Sequence, residues 1–275
     1  MNDEEKNTHP QLLRLVEIIR RLRAPGGCPW DRKQTLESLT PHLLEEGYEL
    51  IEAIEAKGDR ERCEEAGDLL MVVVMICQVA ADEGRFDLEQ AARGIGDKLE
   101  RRHPHIFGDR QVAGADEVVR NWEEIKRRER REKQSDPSPF AGVPRHLPAC
   151  LRALRMGQKA SLAGFDWPDA RGALAKVKEE LAELEGEMGG GGERGALLHE
   201  LGDLLFAVAN LGRLLGINPE KALRAALDRF DRRYRQMERE LGKPPAQAES
   251  ADELDAAWER AKAALRRVEG EGDPA

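Results

Sequence analysis

Two short acidic stretches decide the fold: Leu44-Glu45-Glu46-Gly47-Tyr48-Glu49-Leu50 and Glu64-Glu65-Ala66-Gly67-Asp68-Leu69-Leu70. Glu46 and Glu49 are three residues apart and share one helix face, as do Glu65 and Asp68. Between the stretches, Lys57-Gly58-Asp59 reads as a turn. Glu49 lies 9 residues before Gly58, while Glu65 lies 7 and Asp68 lies 10 after it. In an antiparallel helical hairpin these positions sit at nearly one height, within a helical turn of about 5.4 Å. The four carboxylates are therefore predicted to converge.

Outward from this hairpin the helical signals continue. Thr40 is predicted to cap the first of the two helices, with Pro41 at its first position, and that helix runs to about Ala56. The second runs from about Arg60 through the apolar stretch Leu69–Ala81, predicted to be a fully buried core helix, and ends at Gly84. The apolar stretch is too short to span a bilayer. Asp87 is predicted to cap a further helix through Leu88–Arg102, which Pro104 stops. A last helix carries Trp122 and Lys126.

The whole pattern then recurs. Gly27-Cys28-Pro29-Trp30-Asp31 matches Gly164-Phe165-Asp166-Trp167-Pro168, and the two acidic stretches match 178–184 and 199–205. Lys98-Leu99-Glu100-Arg101-Arg102 matches 229–233, and Asn121–Lys126 matches 257–262. Five blocks recur in the same order at offsets of 131 to 137 residues, which indicates an internal repeat. In the second copy the turn is the glycine run Gly189–Gly192. Around Gly191, Glu183 lies 8 before and Glu200 lies 9 after, with Glu180 11 before and Asp203 12 after. Between the copies, residues 134–148 hold four prolines, two serines and a glycine, the composition of a linker. The expected fold is all-α: two tandem copies of a four- to five-helix bundle, at 1–133 and 149–275, with a frayed tail from Gly270.

Composition agrees and excludes alternatives. Aromatic residues make up 4% of the chain, and Ala, Leu, Glu and Arg abound, which favours helix over strand. A net charge of −9 argues against partnership with a nucleic-acid polymer, which calls for a basic surface. Cys28, Cys63, Cys77 and Cys150 form no Cys-x-x-Cys pair and read as reduced thiols. Residues 1–11 are polar, without the apolar segment of a signal peptide, so a cytoplasmic protein with no membrane association is expected.

Clustered carboxylates repel one another, and a divalent cation removes the conflict. A donor set of oxygens suits a hard ion, Mg²⁺ or Mn²⁺. A Glu-x-x-Glu pair alone is ordinary on a solvated helix. Its recurrence opposite a second acidic pair at matched height is not. Lys98 and Arg102 are four apart, as are Arg229 and Arg233, Trp122 and Lys126, and Trp258 and Lys262. Cations beside a metal are what a triphosphate needs, although such residues also decorate ordinary helices. Trp30 and Trp167 read as packing plugs, and His42 and His199, which occupy unmatched positions, as incidental.

Glu-x-x-Glu followed after 15 or 16 residues by Glu-x-x-Asp resembles the signature of the all-α nucleotide pyrophosphatases. Together with Gly-Cys-Pro-Trp-Asp, Lys98–Phe107 and Gly-Phe-Asp-Trp, it is similar to the two-repeat MazG family over about residues 11–265. The resemblance implies Mg²⁺-dependent hydrolysis of nucleoside triphosphates between the α and β phosphates, in a homodimer. It implies metal ligands at Glu46, Glu49, Glu65 and Asp68 and at Glu180, Glu183, Glu200 and Asp203. Glu49 and Glu183 are candidate bases. Lys98, Arg102, Trp122, Lys126, Arg229, Arg233, Trp258 and Lys262 are candidates for substrate binding. Arg229 departs from the family's lysine at that position. A di-iron bundle would need two Glu-x-x-His motifs, and only Glu100–His103 fits. A non-catalytic helical adaptor has no use for the repeated acids.

Overall fold

Helix boundaries fall where local chemistry sets them. Asp87 accepts from the Gln90 backbone N–H at 2.8 Å, and the Gln90 side chain accepts from the Asp87 N–H at 3.0 Å, a full capping box. The computed structural model describes residues 9–132 and 136–270. No strand occurs among them. The expected tail after Gly270 and the start of the linker at 134–135 lie outside the described residues.

The chain divides between Glu117 and Val118 into two compact units. The first contains α1 (Pro10–Arg23), α2 (Leu39–Ala56), α3 (Asp59–Asp82), α4 (Leu88–Arg102) and the short α5 (Pro104–Phe107). Here α3 is central: α1, α2 and α4 all pack on it. Ile19, Leu39, Val74, Met75 and Val79 form its buried core.

Helix α6 (Ala115–Glu132) begins at the division and lies mostly in the second unit, before α7 (Ala149–Leu162), α8 (Ala170–Gly189), α9 (Arg194–Leu214), α10 (Pro219–Leu241) and α11 (Ala251–Gly270). The central element is α9, with α7, α8 and α10 against it, while α10 pairs with α11 over Met237, Ala257 and Ala261. Residues 136–148 carry no helix.

Two expectations need correction and one is met. Helix α2 starts at Leu39, with Ser38 at the cap position, and the Thr40 hydroxyl donates back to the Leu36 carbonyl at 3.3 Å, so it caps nothing. Helix α4 ends at Arg102, as expected, and Pro104 opens α5, where its missing N–H costs nothing. The apolar stretch in α3 is not buried all round. Val72, Val74, Met75, Cys77, Val79 and Ala80 are buried, but Leu70 and Val73 face outward. A helix packed on only part of its circumference leaves a stripe uncovered.

Candidate metal centres

Each acidic hairpin is closed by a short reversal. In the first, α2 ends at Ala56 and α3 begins at Asp59. The Arg62 guanidinium ties the corner by donating to the Ala53 carbonyl at 3.2 Å. In the second, Gly191 takes a left-handed conformation with φ of 70° that glycine adopts without strain.

These reversals bring carboxylates together in both units. Glu46, Glu49 and Glu65 each offer an oxygen, and the three atoms lie within 4.8 Å of one another. Glu180, Glu183 and Glu200 do the same. Asp68 stands near enough to bear on Glu46 and Glu65 electrostatically, without joining the trio. Asp203 clusters with Glu200 and His199 instead, also within 4.8 Å. His199 Nδ1 is 3.2 Å from Asp203 and 3.4 Å from Glu200, so this histidine is not incidental.

The electrostatics of the two trios differ. Burial, then the charges of Asp68 and Glu49, push the Glu46 carboxyl above its ordinary range. Burial and Glu49 push Glu65 up, against a smaller pull from Lys57 at 4.0 Å. In the second trio, loss of water and the Glu180 carboxylate push Glu183 up. Glu180 itself is held down by a hydrogen bond from Lys176, whose Nζ lies 2.6 Å from it. Lys176 donates to Glu179 as well, at 2.9 Å. Lys176 is not among the residues predicted from sequence, although its spacing of four from Glu180 is a pairing signal.

The cations and tryptophans stand on other helices. Lys98 and Arg229 are exposed, and Arg102 and Arg233 half-buried. Lys126 donates to Glu123 at 2.7 Å and lies over the Trp122 ring, 5.5 Å from its centre. Lys262 pairs with Glu259, and Trp258 packs on the α10–α11 core with its ring 5.4 Å from that of Phe230. Trp167 is a packing plug, lying flush on Gly172, where a β-carbon would meet it at 2.5 Å. Trp30 is not: it is 58% exposed and touches the His42 ring edge-on. The Gly-Cys-Pro-Trp turn holds it out beside His42 of α2.

Fold and site together define an all-helical protein with two carboxylate centres of the metal-binding kind. The description of the MazG nucleotide pyrophosphohydrolase domain matches residues 34–107, which span the first centre. The chain is 43% identical to the nucleoside triphosphate pyrophosphohydrolase/pyrophosphatase MazG of Thermotoga maritima, over 90% of this chain and 94% of that protein. It is also 43% identical to the nucleoside triphosphate pyrophosphohydrolase of Escherichia coli K12, over 83% and 88%. The chain belongs to the MazG family, hydrolases that act on acid anhydrides.

Proposed function

We propose that this chain hydrolyses nucleoside triphosphates between the α and β phosphates, in a Mg²⁺-dependent reaction that yields a monophosphate and pyrophosphate. The observation that carries the reading is the gathering of three glutamates within 4.8 Å, once in each unit, in a chain of this family. The residues fit a hard divalent cation. Carboxylate oxygens dominate the donor set, and the carboxyls of Glu46, Glu65 and Glu183, raised by burial and then by neighbouring carboxylates, are strained in a way that such a cation relieves.

When bound, Mg²⁺, or Mn²⁺ in its place, supplies a Lewis acid that draws charge from phosphate oxygens. Glu46, Glu49, Glu65 and Asp68 would hold it in the first half, and Glu180, Glu183, Glu200 and Asp203 in the second. Glu49 and Glu183 are the exposed members of their trios, and each orients a water and accepts its proton. The water oxygen bonds to phosphorus, and the bridging oxygen departs with the leaving phosphate group. Lys98 and Arg102, and in the second half Arg229 and Arg233, offset phosphate charge. Trp122 with Lys126, and Trp258 with Lys262, contact the nucleotide. Residues 1–133 and 149–275 act as the two functional halves.

The proposal includes a cytoplasmic homodimer. Exposed apolar side chains on the acidic hairpins support association: Leu198 and Leu205 are 72% and 60% exposed. Four free cysteines agree with a reducing compartment. No helix among the described residues is long and apolar enough to cross a membrane.

Incubation with each nucleoside triphosphate and Mg²⁺, followed by phosphorus NMR, tests the reading. Monophosphate plus pyrophosphate is the expected product pair. Diphosphate plus inorganic phosphate would overturn it.

A further inference from the structure

Within the second unit, α6 and α7 border a cleft lined by none of the clustered acids. It has two adjoining chambers, of about 430 Å³ and 210 Å³, which share Glu123, Lys159 and Leu162 as walls. Lys126, Arg127, Arg130 and Arg131 line it from α6, and Arg155 and Lys159 from α7. Glu123 is the single carboxylate among the lining residues, and two ammonium groups share it: Lys126 at 2.7 Å and Lys159 at 3.3 Å. Burial opposes ionisation of Glu123, yet those two lysines hold its carboxyl below the ordinary range.

Six cations on one cleft are conspicuous in a chain of net charge −9. The negative end of the α6 dipole accounts for Arg130 and Arg131 in its last turn. It does not account for Arg155 and Lys159, which come from another helix. Cations converging from two elements around a concave space focus positive potential there. Guanidinium forks and ammonium groups together are the donors that phosphate oxygens take up. Gln158 and Ser161 add neutral hydrogen-bonding groups, and Trp122 an apolar wall, in the larger chamber.

We infer that this cleft is a metal-independent binding site for an oligophosphate, taken either free or as the tail of a nucleotide. The inference goes beyond hydrolysis: Trp122 and Lys126, proposed above to contact the nucleotide, also wall this cleft, but no clustered acid lines it, and phosphate binding there needs neither carboxylate centre. Phosphate chains bound there are held by these cations, with no clustered acid in the cleft wall, as a retained product or a second nucleotide would be.

Calorimetry on the full chain in EDTA, with inorganic tripolyphosphate as the probe, tests it. Binding is expected without any divalent ion, weakened at least 10-fold in the Arg127→Ala/Arg155→Ala double variant and unchanged in Glu46→Ala/Glu180→Ala. Arg127 and Arg155 are both exposed, so their removal leaves the core intact; Arg131→Ala, also exposed, gives an independent check. Equal affinity for tripolyphosphate and ATP identifies a site for the free chain. Tighter ATP binding that Trp122→Leu abolishes identifies a nucleotide site. No binding in EDTA, or binding indifferent to Arg127 and Arg155, overturns the inference, as does tighter binding of a single-stranded oligonucleotide. The product assay above is independent of all these outcomes.

Discussion

One turn of α8 sets Lys176 beside Glu180; in the first unit His42 occupies the matching position and pairs with Glu45 at 3.7 Å, and Lys57 stands no nearer than 4.0 Å from Glu65. In the metal-free protein the lysine neutralises part of the second centre, so an entering cation gains less there. Lys176→Met is expected to tighten Mn²⁺ binding at that centre by about 2- to 5-fold, the scale of a partly exposed ion pair, as read by electron paramagnetic resonance. Glu46→Ala and Glu180→Ala, made separately, assign turnover to one half or both. Loss of a neighbour that merely orients a ligand costs 10- to 100-fold, so loss of a ligand in a working centre is expected to cost about 100-fold or more in kcat/KM. Away from the centres, Asp166 accepts from Arg213 at two oxygens, one at 3.0 Å. That hydrogen bonding, opposed by burial, holds the Asp166 carboxyl below its ordinary value of 3.8. The folded state therefore binds fewer protons than the unfolded chain in this window, and stability rises with pH across it. The contribution is complete above the ordinary aspartate range and is lost as pH falls from about 4 through the depressed value. Urea titrations between pH 3 and 5 should show a shallower fall in stability for Asp166→Asn than for the parent.

At the level of helices, α7 crosses α9 closely because Gly157 has no side chain. A β-carbon there would sit 2.6 Å from Asn210 Oδ1 and 3.0 Å from Arg213 Nε, two groups already joined by a 2.6 Å hydrogen bond. Gly157→Ala is expected to cost about 1–3 kcal/mol, as overpacking does, despite the higher helix propensity of alanine. A thermal melt that rises instead would contradict this account of the crossing. The elements themselves were largely legible from local chemistry. Asp87 announces α4, glycines mark both hairpin turns, and the acidic periodicity fixes the shared faces of α2 and α3. Less legible was what depends on neighbours in space. Whether Leu70 and Val73 are covered is decided by which helices pack on α3, and periodicity cannot supply that. One contact of α6 with α7 is likewise the Glu123–Lys159 pair, 36 residues apart in sequence. Trp30 and Trp167 occupy matched motifs, but Gly172 receives only the second. Lys176 and His199 were legible after all, since each stands four residues from a clustered acid.

Across the whole molecule, uncovered apolar surface on α8 and α9 bears on assembly. Sedimentation equilibrium is expected to give twice the 30.8 kDa chain mass, and Leu198→Glu/Leu205→Glu to reduce it to one chain. A parent protein that sediments as a monomer would remove the dimer from the proposal. Divalent ions that bind only the folded chain also stabilise all of it. Mg²⁺ at 100 times its dissociation constant is expected to contribute about 2.7 kcal/mol for one site, measurable by urea denaturation with and without EDTA. The reversal between α8 and α9 has a practical use. Its glycines lie at an exposed tip, and beyond Gly191 the chain re-enters a helix whose register is set by packing on α8 rather than by the length of the loop. A peptide epitope or fluorophore acceptor spliced in after Gly191 would therefore ride on the hairpin without shifting the carboxylates below it, making this corner a natural handle for labelling the working enzyme.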